Sequence, residues 1–138
     1  ASMKSFLDRM DTREVNALYE GLNERWDQRR QRLNEKLKAL ELPVKTANMG
    51  TVWTVLYERP GRYNWLLQFY LRKHGLLLSW VGSGRMIFSL DFNDSIFDDV
   101  VERFVSAVAE MKGDGWWSGP ETTNKRIRRQ VLREMFRN

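Results

Sequence analysis

The apolar positions of this 138-residue chain fall into seven patterned runs separated by glycine and proline. Across residues 12–40, Val15, Leu18, Tyr19, Leu22, Trp26, Leu33, Leu37 and Leu40 recur at steps of three, four and seven. That spacing predicts one helix with an apolar stripe. Asp11 or Thr12 can cap its start, the stripe is interrupted near Arg29 and Arg30, and Pro43 ends it. At roughly 29 residues the helix exceeds the usual globular length, which predicts that it bridges to or leans on another body. In residues 52–57, Val52, Thr54 and Leu56 alternate with Trp53, Val55 and Tyr57, the period of a strand. After Pro60-Gly61, Asn64 is placed to cap a short helix with Leu66, Leu67, Phe69 and Tyr70 inside. Arg72, Lys73 and His74 suit its last turn, and Gly75 suits the left-handed position that ends such helices.

Residues 76–81 (LLLSWV) and 85–92 (RMIFSLDF) are apolar runs too short for helices. Their connection, Gly82-Ser83-Gly84, predicts a hairpin. Asn93, Asp94 or Ser95 then caps a helix whose face of Ile96, Phe97, Val100, Val101, Phe104, Val105 and Val108 is uninterrupted. Gly113-Asp114-Gly115 stops it. A loop containing Trp116-Trp117 follows, and Thr122 or Thr123 caps a final helix with a stripe of Ile127, Val131 and Met135. The order helix, strand, helix, strand, strand, helix, helix predicts an α+β fold: a small antiparallel three-stranded sheet covered by helices, with a long N-terminal helix and a basic C-terminal helix.

Composition narrows the class. With 42% hydrophobic and 30% charged residues the chain is globular, and its length suits one domain. No run approaches the roughly 20 apolar residues that span a bilayer, and no signal peptide is recognised, so a cytoplasmic protein without membrane contact is expected. Ala1-Ser2 before Met3 reads as a cloning remnant and residues 1–11 as a lead-in. The net charge of +5 is uneven: residues 120–138 carry Lys125, Arg126, Arg128, Arg129, Arg133 and Arg137 against Glu121 and Glu134. That segment holds +4 of the total. The rest is nearly neutral.

Candidate chemistry is sparse. With no cysteine and only His74 as imidazole, neither a thiolate nor a histidine metal site can be assembled. His74 reads as a helix-terminal cation. Gly82 and Gly84 lie between two predicted strands, whereas a phosphate cradle opens a helix, so they read as a turn. Asp91, Asp94, Asp98 and Asp99 lack calcium-loop spacing and read as helix-dipole compensation. The basic tail could contact nucleic-acid phosphates or a membrane surface, but its apolar stripe favours docking on protein. Trp116-Trp117 could stack on a base or wedge the tail against the core, the commoner arrangement.

The stretch NALYEGLNERWDQRRQRLNEKLKALELPVKTANMGTVWTVLY resembles the start of the small C-terminal domain of class III pyridoxal-phosphate aminotransferases, especially the glutamate-1-semialdehyde aminomutase group. HGLLLSW, GRMIFSLDF and NDSIFDDVVERFVSAVAEM resemble the run that closes that domain. The resemblance spans about residues 12–112 and places the tail, 113–138, outside it. It implies the C-terminal domain of the type I pyridoxal-phosphate transferase fold. The chain departs from the family where Leu90, Asp91 and Phe92 replace a Pro-Pro-Leu segment. Ile87 falls where the family's substrate-carboxylate arginine is expected, with Arg85 two residues earlier on the same strand face. Arg85 either replaces that arginine or is an exposed hairpin-base residue.

The resemblance further implies that pyridoxal phosphate belongs to a large domain outside this chain, that the parent is a homodimeric aminotransferase or aminomutase, and that this part binds no cofactor and is inactive alone. Lys36, Lys38, Lys45 and Lys73 lie in charged surroundings unsuited to a Schiff base. Arg85, Ser89 and Asp91 are the residues expected nearest a substrate. Two readings from other classes stay open: a stand-alone basic α+β module that binds nucleic acid, and an interaction domain that docks through its long helix.

Overall fold

Trp26, Arg29, Leu33 and Leu37 follow one another at helical steps of three and four, and all four are buried. They lie on α3 (Leu22–Ala39), the longest element of the N-terminal half. The computed structural model describes residues 2–78, 85–90 and 92–137. It contains α1 (Ser2–Met10), α2 (Arg13–Tyr19), α3, β1 (Val44–Met49), β2 (Val52–Tyr57), a 3₁₀ turn (Asn64–Leu66), α4 (Leu67–Lys73), β3 (Arg85–Ile87), α5 (Asp94–Gly113) and α6 (Asn124–Met135).

The three strands form one antiparallel sheet in the order β1-β2-β3. Along them alternate residues turn to opposite faces. Val44 and Thr46, Trp53 and Val55, and Met86 are buried, and they meet α3 and α5 in a core that also holds Leu67, Leu71, Phe97, Val101 and Phe104. Trp26 is its centre. Its ring stacks on Phe88 at 5.1 Å and stands edge-on to Trp53 at 6.0 Å and to Phe97 at 5.9 Å. Strands and helices are thus tied by one aromatic group.

The long helix expected over residues 12–40 is two helices. Gly21, at φ +63°, breaks it, and Arg25 donates from its guanidinium to the carbonyls of Leu18 and Glu20 across the break. Leu18 and Tyr19, just before the break, are exposed, and so is Leu40 at the far end of α3. What the stripe's interruption hid is that Arg29 is itself a core position. Its Nε donates to Asp94 Oδ1 at 3.0 Å and its Nη2 to the Phe92 carbonyl at 2.8 Å, while the guanidinium lies 4.5 Å from the Trp26 ring centre.

β1 was not anticipated. It carries few apolar residues, and its buried Thr46 is satisfied by Asn34 of α3, which accepts from the Thr46 N–H at 2.8 Å and donates to its carbonyl at 2.9 Å. A side chain takes the place of a neighbouring strand. Gly50, at φ +55°, makes the two-residue turn into β2 possible. Residues 76–78 are not a strand, the rest of that run and the Gly82-Ser83-Gly84 turn lie outside the described residues, and β3 is shorter than the 85–92 run. The three-stranded antiparallel sheet therefore stands, with β1 as its third member.

Caps follow the sequence more closely. Thr12, Asn93 and Thr123 accept from the N–H groups of Val15, Ile96 and Arg126. Asn64 does not cap: it opens the 3₁₀ turn and donates to the Arg59 carbonyl, and Phe69 is exposed instead of inside. Trp117 wedges the tail, packing on the core with its indole N–H donating to the Val108 carbonyl, whereas Trp116 meets Tyr63 at the surface. Truncating the central ring, Trp26→Ala, is expected to lower stability by about 3–5 kcal/mol, read from chemical denaturation. A loss below about 1 kcal/mol would show that the aromatic group does not organise the core.

Candidate functional site

The face of the sheet turned away from the helices is the feature that the described residues leave open. Register places Met49, Val52 and Ile87 in one row across the strands, and Ala47, Thr54 and Arg85 in the next. Met49 is 81% exposed and Ile87 76%. Met49, Val52, Leu56 and Ile87 thus share this outer face with Lys45, Thr54 and Arg85, and exposed apolar residues gathered on a sheet face make it a candidate contact surface.

Beside it, at the β3 edge, runs a cleft of about 740 Å³. Leu76, Leu77 and Leu78 form one wall, Phe88, Phe92 and Val100 much of the other, and Arg85 supplies the charged group among its described lining residues. An apolar cleft with one guanidinium is suited to hold a carboxylate at one end and an aliphatic or aryl group along its length.

Each wall is fixed by identifiable contacts. The residues 75–78 wall begins where α4 closes in a Schellman motif: Gly75 N–H donates to Arg72 O at 2.9 Å and Leu76 N–H to Leu71 O at 2.8 Å. Gly75 has φ +81°, and a Cβ there would stand 2.6 Å from Arg103 Nη1, which donates to the His74 carbonyl. His74 caps α4 and its Nε2 meets Glu110 Oε2 at 2.7 Å; Lys73 pairs with the same carboxylate. The opposite wall is held by Arg29 through the Phe92 carbonyl and by the stack of Phe88 on Trp26.

Of the residues expected nearest a substrate, Arg85 is exposed on β3, on the same outward face as Ile87, and lines the cleft. Ser89 is exposed just past β3, and its carbonyl accepts from the Phe92 N–H at 3.3 Å. Asp91 lies outside the described residues. Asp94 and Asp98 pair with arginines of α3 and Asp99 with Arg103. Among the described residues no three His, Asp or Glu side chains gather closely enough for a metal ion, and no helix is long and apolar enough to cross a membrane. Reading residues alone missed Arg29, although its place in the 26, 29, 33, 37 series was a signal. It also missed the leucine wall, which looked like a strand.

Pyridoxal phosphate needs a lysine to form its imine, a carboxylate at its ring nitrogen and a phosphate cradle. The described cleft lining holds neither lysine nor carboxylate. Lys36 and Lys73 are engaged by Glu102 and Glu110 at the surface, and Lys38 and Lys45 are exposed. These residues do not fit that cofactor by themselves.

No family model matches the chain, and no curated protein matches it. Among solved structures it is similar to a β-phenylalanine aminotransferase from Variovorax paradoxus, with 21% identity and a TM-score of 0.56 over 67% of this chain and 24% of that one. A second similar structure is a transaminase with PLP bound, with 17% identity and a TM-score of 0.60 over 78% of this chain and 26% of that one. The fold is thus that of a part of these proteins. The chain spans about a quarter of the length of the solved chains it matches.

Lys73 and His74 hold the Glu110 carboxyl below the ordinary glutamate range. A carboxyl lowered by folding contributes stability above its ordinary range and loses it as the pH falls through the lowered value. Wild type is therefore expected to unfold later than Glu110→Gln at neutral pH, with the gap closing in acid. A gap that widens on acidification would contradict the assignment.

Proposed function

We propose that this chain is the small C-terminal domain of a class III pyridoxal-phosphate aminotransferase or aminomutase, similar to glutamate-1-semialdehyde aminomutase. It shapes the substrate side of an active site whose cofactor-binding apparatus belongs to a large domain. The observation that carries the reading is the outer sheet face, where Met49, Val52, Leu56 and Ile87 are exposed among the described residues, adjoining a cleft with Arg85 in it. Support comes from the two transaminase-like folds, each about four times this chain's matched share, and from the poor fit of the chain's own lysines to the cofactor.

In this reading the large domain seats against Met49, Val52, Leu56 and Ile87, and the cleft opens toward its pocket. Pyridoxal phosphate, held there, supplies the electron sink for amino-group transfer. Arg85 takes the substrate carboxylate in place of the arginine that Ile87 displaces, and Ser89 and Asp91 are the further residues proposed near the substrate. Leu77, Phe88 and Phe92 pack along the substrate's carbon skeleton and exclude water. The parent works as a cytoplasmic homodimer.

The test uses the full-length parent enzyme. Arg85→Ala is expected to raise KM for the amino-acid substrate about tenfold or more, as befits loss of a charged hydrogen bond, while the bound cofactor's absorbance stays unchanged. An unchanged KM removes Arg85 from the site. Absence of any pyridoxal-phosphate absorbance in the parent defeats the reading as a whole.

A further inference from the structure

The tail helix α6 has two faces, and the structure uses only one of them. Ile127 and Val131 are half-buried, and Glu134 Oε2 accepts from Arg62 Nη1 at 2.5 Å. The first part of the apolar stripe is therefore turned toward the domain, with the Arg62–Glu134 pair beside it, while Met135, the stripe's last member, is 70% exposed.

The charge is what remains unexplained. Lys125, Arg129, Arg133 and Arg137 succeed one another at steps of four, one row along the helix. Among the described residues, none of the four has a carboxylate within ion-pairing distance, and Arg128 has none either. Like charges at these steps repel, and Lys125 and Arg126 in the first turn oppose the helix dipole. α5 does the reverse, starting with an acid and ending with a base. The basic row thus works against the helix that carries it. An exposed aromatic ring accompanies it: Phe136, 87% exposed, shares the helix face with Arg129 and Arg133.

We infer that the outward face of α6 is a docking surface for single-stranded nucleic acid. The cations track the phosphates, the charge complement that the row lacks among the described residues, and Phe136 offers a face on which a base stacks. A lipid surface would call for an apolar face along the whole helix, whereas the exposed apolar side chains here, Leu132, Met135 and Phe136, gather at its C-terminal end.

The experiment is fluorescence anisotropy of a labelled oligodeoxythymidine titrated with the full chain at rising salt. With four phosphate contacts the logarithm of affinity is expected to fall with log salt at a slope of about 2.8. Arg129→Gln with Arg133→Gln is expected to halve that slope to about 1.4, whereas the paired Lys replacements retain it. Phe136→Ala is expected to weaken single-strand binding about fivefold or more. All these side chains are exposed, and circular dichroism confirms that the variants fold. Four results each overturn the inference: no binding, equal affinity for a duplex of the same length, tighter binding to phosphatidylserine vesicles or to polyglutamate, or an unchanged slope in the double Gln variant.

Discussion

The stacking of Trp26 on Phe88 is the contact on which the rest of this molecule depends, because it joins the N-terminal helix to the segment that shapes the cleft. Phe88 follows an edge strand only three residues long, whose own ladder is too short to fix its direction. Held between Trp26, Trp53, Phe92 and Phe97, it cannot rotate away without opening the core. Arg29 completes the arrangement from one helical turn along. A buried guanidinium is costly unless every face of it is occupied, and here it has Asp94, the Phe92 carbonyl and two aromatic rings. The same side chain therefore closes the core and fixes the start of α5.

From that anchor the layout of the outer surface follows. Both α3 and α5 are committed to one face of the sheet, so the other has no helical cover among the described residues. Natural sheets do not leave Met, Val, Leu and Ile on a bare face without a use for it. The functional proposal rests on this imbalance, and on the matched part of this chain covering only about a quarter of each solved chain of similar fold.

How much of this was legible in the sequence depended on whether the signal was local. Helix α5 could be read because its apolar face repeats without a break over its length, and its Asn93 cap sits immediately before it. The end of α4 could be read because only glycine relieves the left-handed position at Gly75. β1 escaped because its burial depends on Asn34, a polar residue twelve positions away that supplies hydrogen bonds no periodicity predicts. The role of Arg29 escaped because charge suggests surface, and only the tertiary arrangement of Asp94 and two rings makes it a core residue. The outer face was invisible for a simpler reason. Val52–Tyr57 alternates apolar residues on both sides, and alternation tells which residues share a face but not which face is covered.

The central claim is that the outer face of the sheet is a contact surface for another part of a larger enzyme. Methyl nuclear magnetic resonance of Met49, Val52, Leu56 and Ile87 tests it most directly, comparing the chain alone with the chain bound to the pyridoxal-binding domain of its parent. The account predicts that these four methyl groups shift and become protected from a paramagnetic co-solute, while Val101 and Leu37 in the core stay as they were. If the four remain accessible and unshifted in the complex, the face is not the one that docks, and the account is wrong.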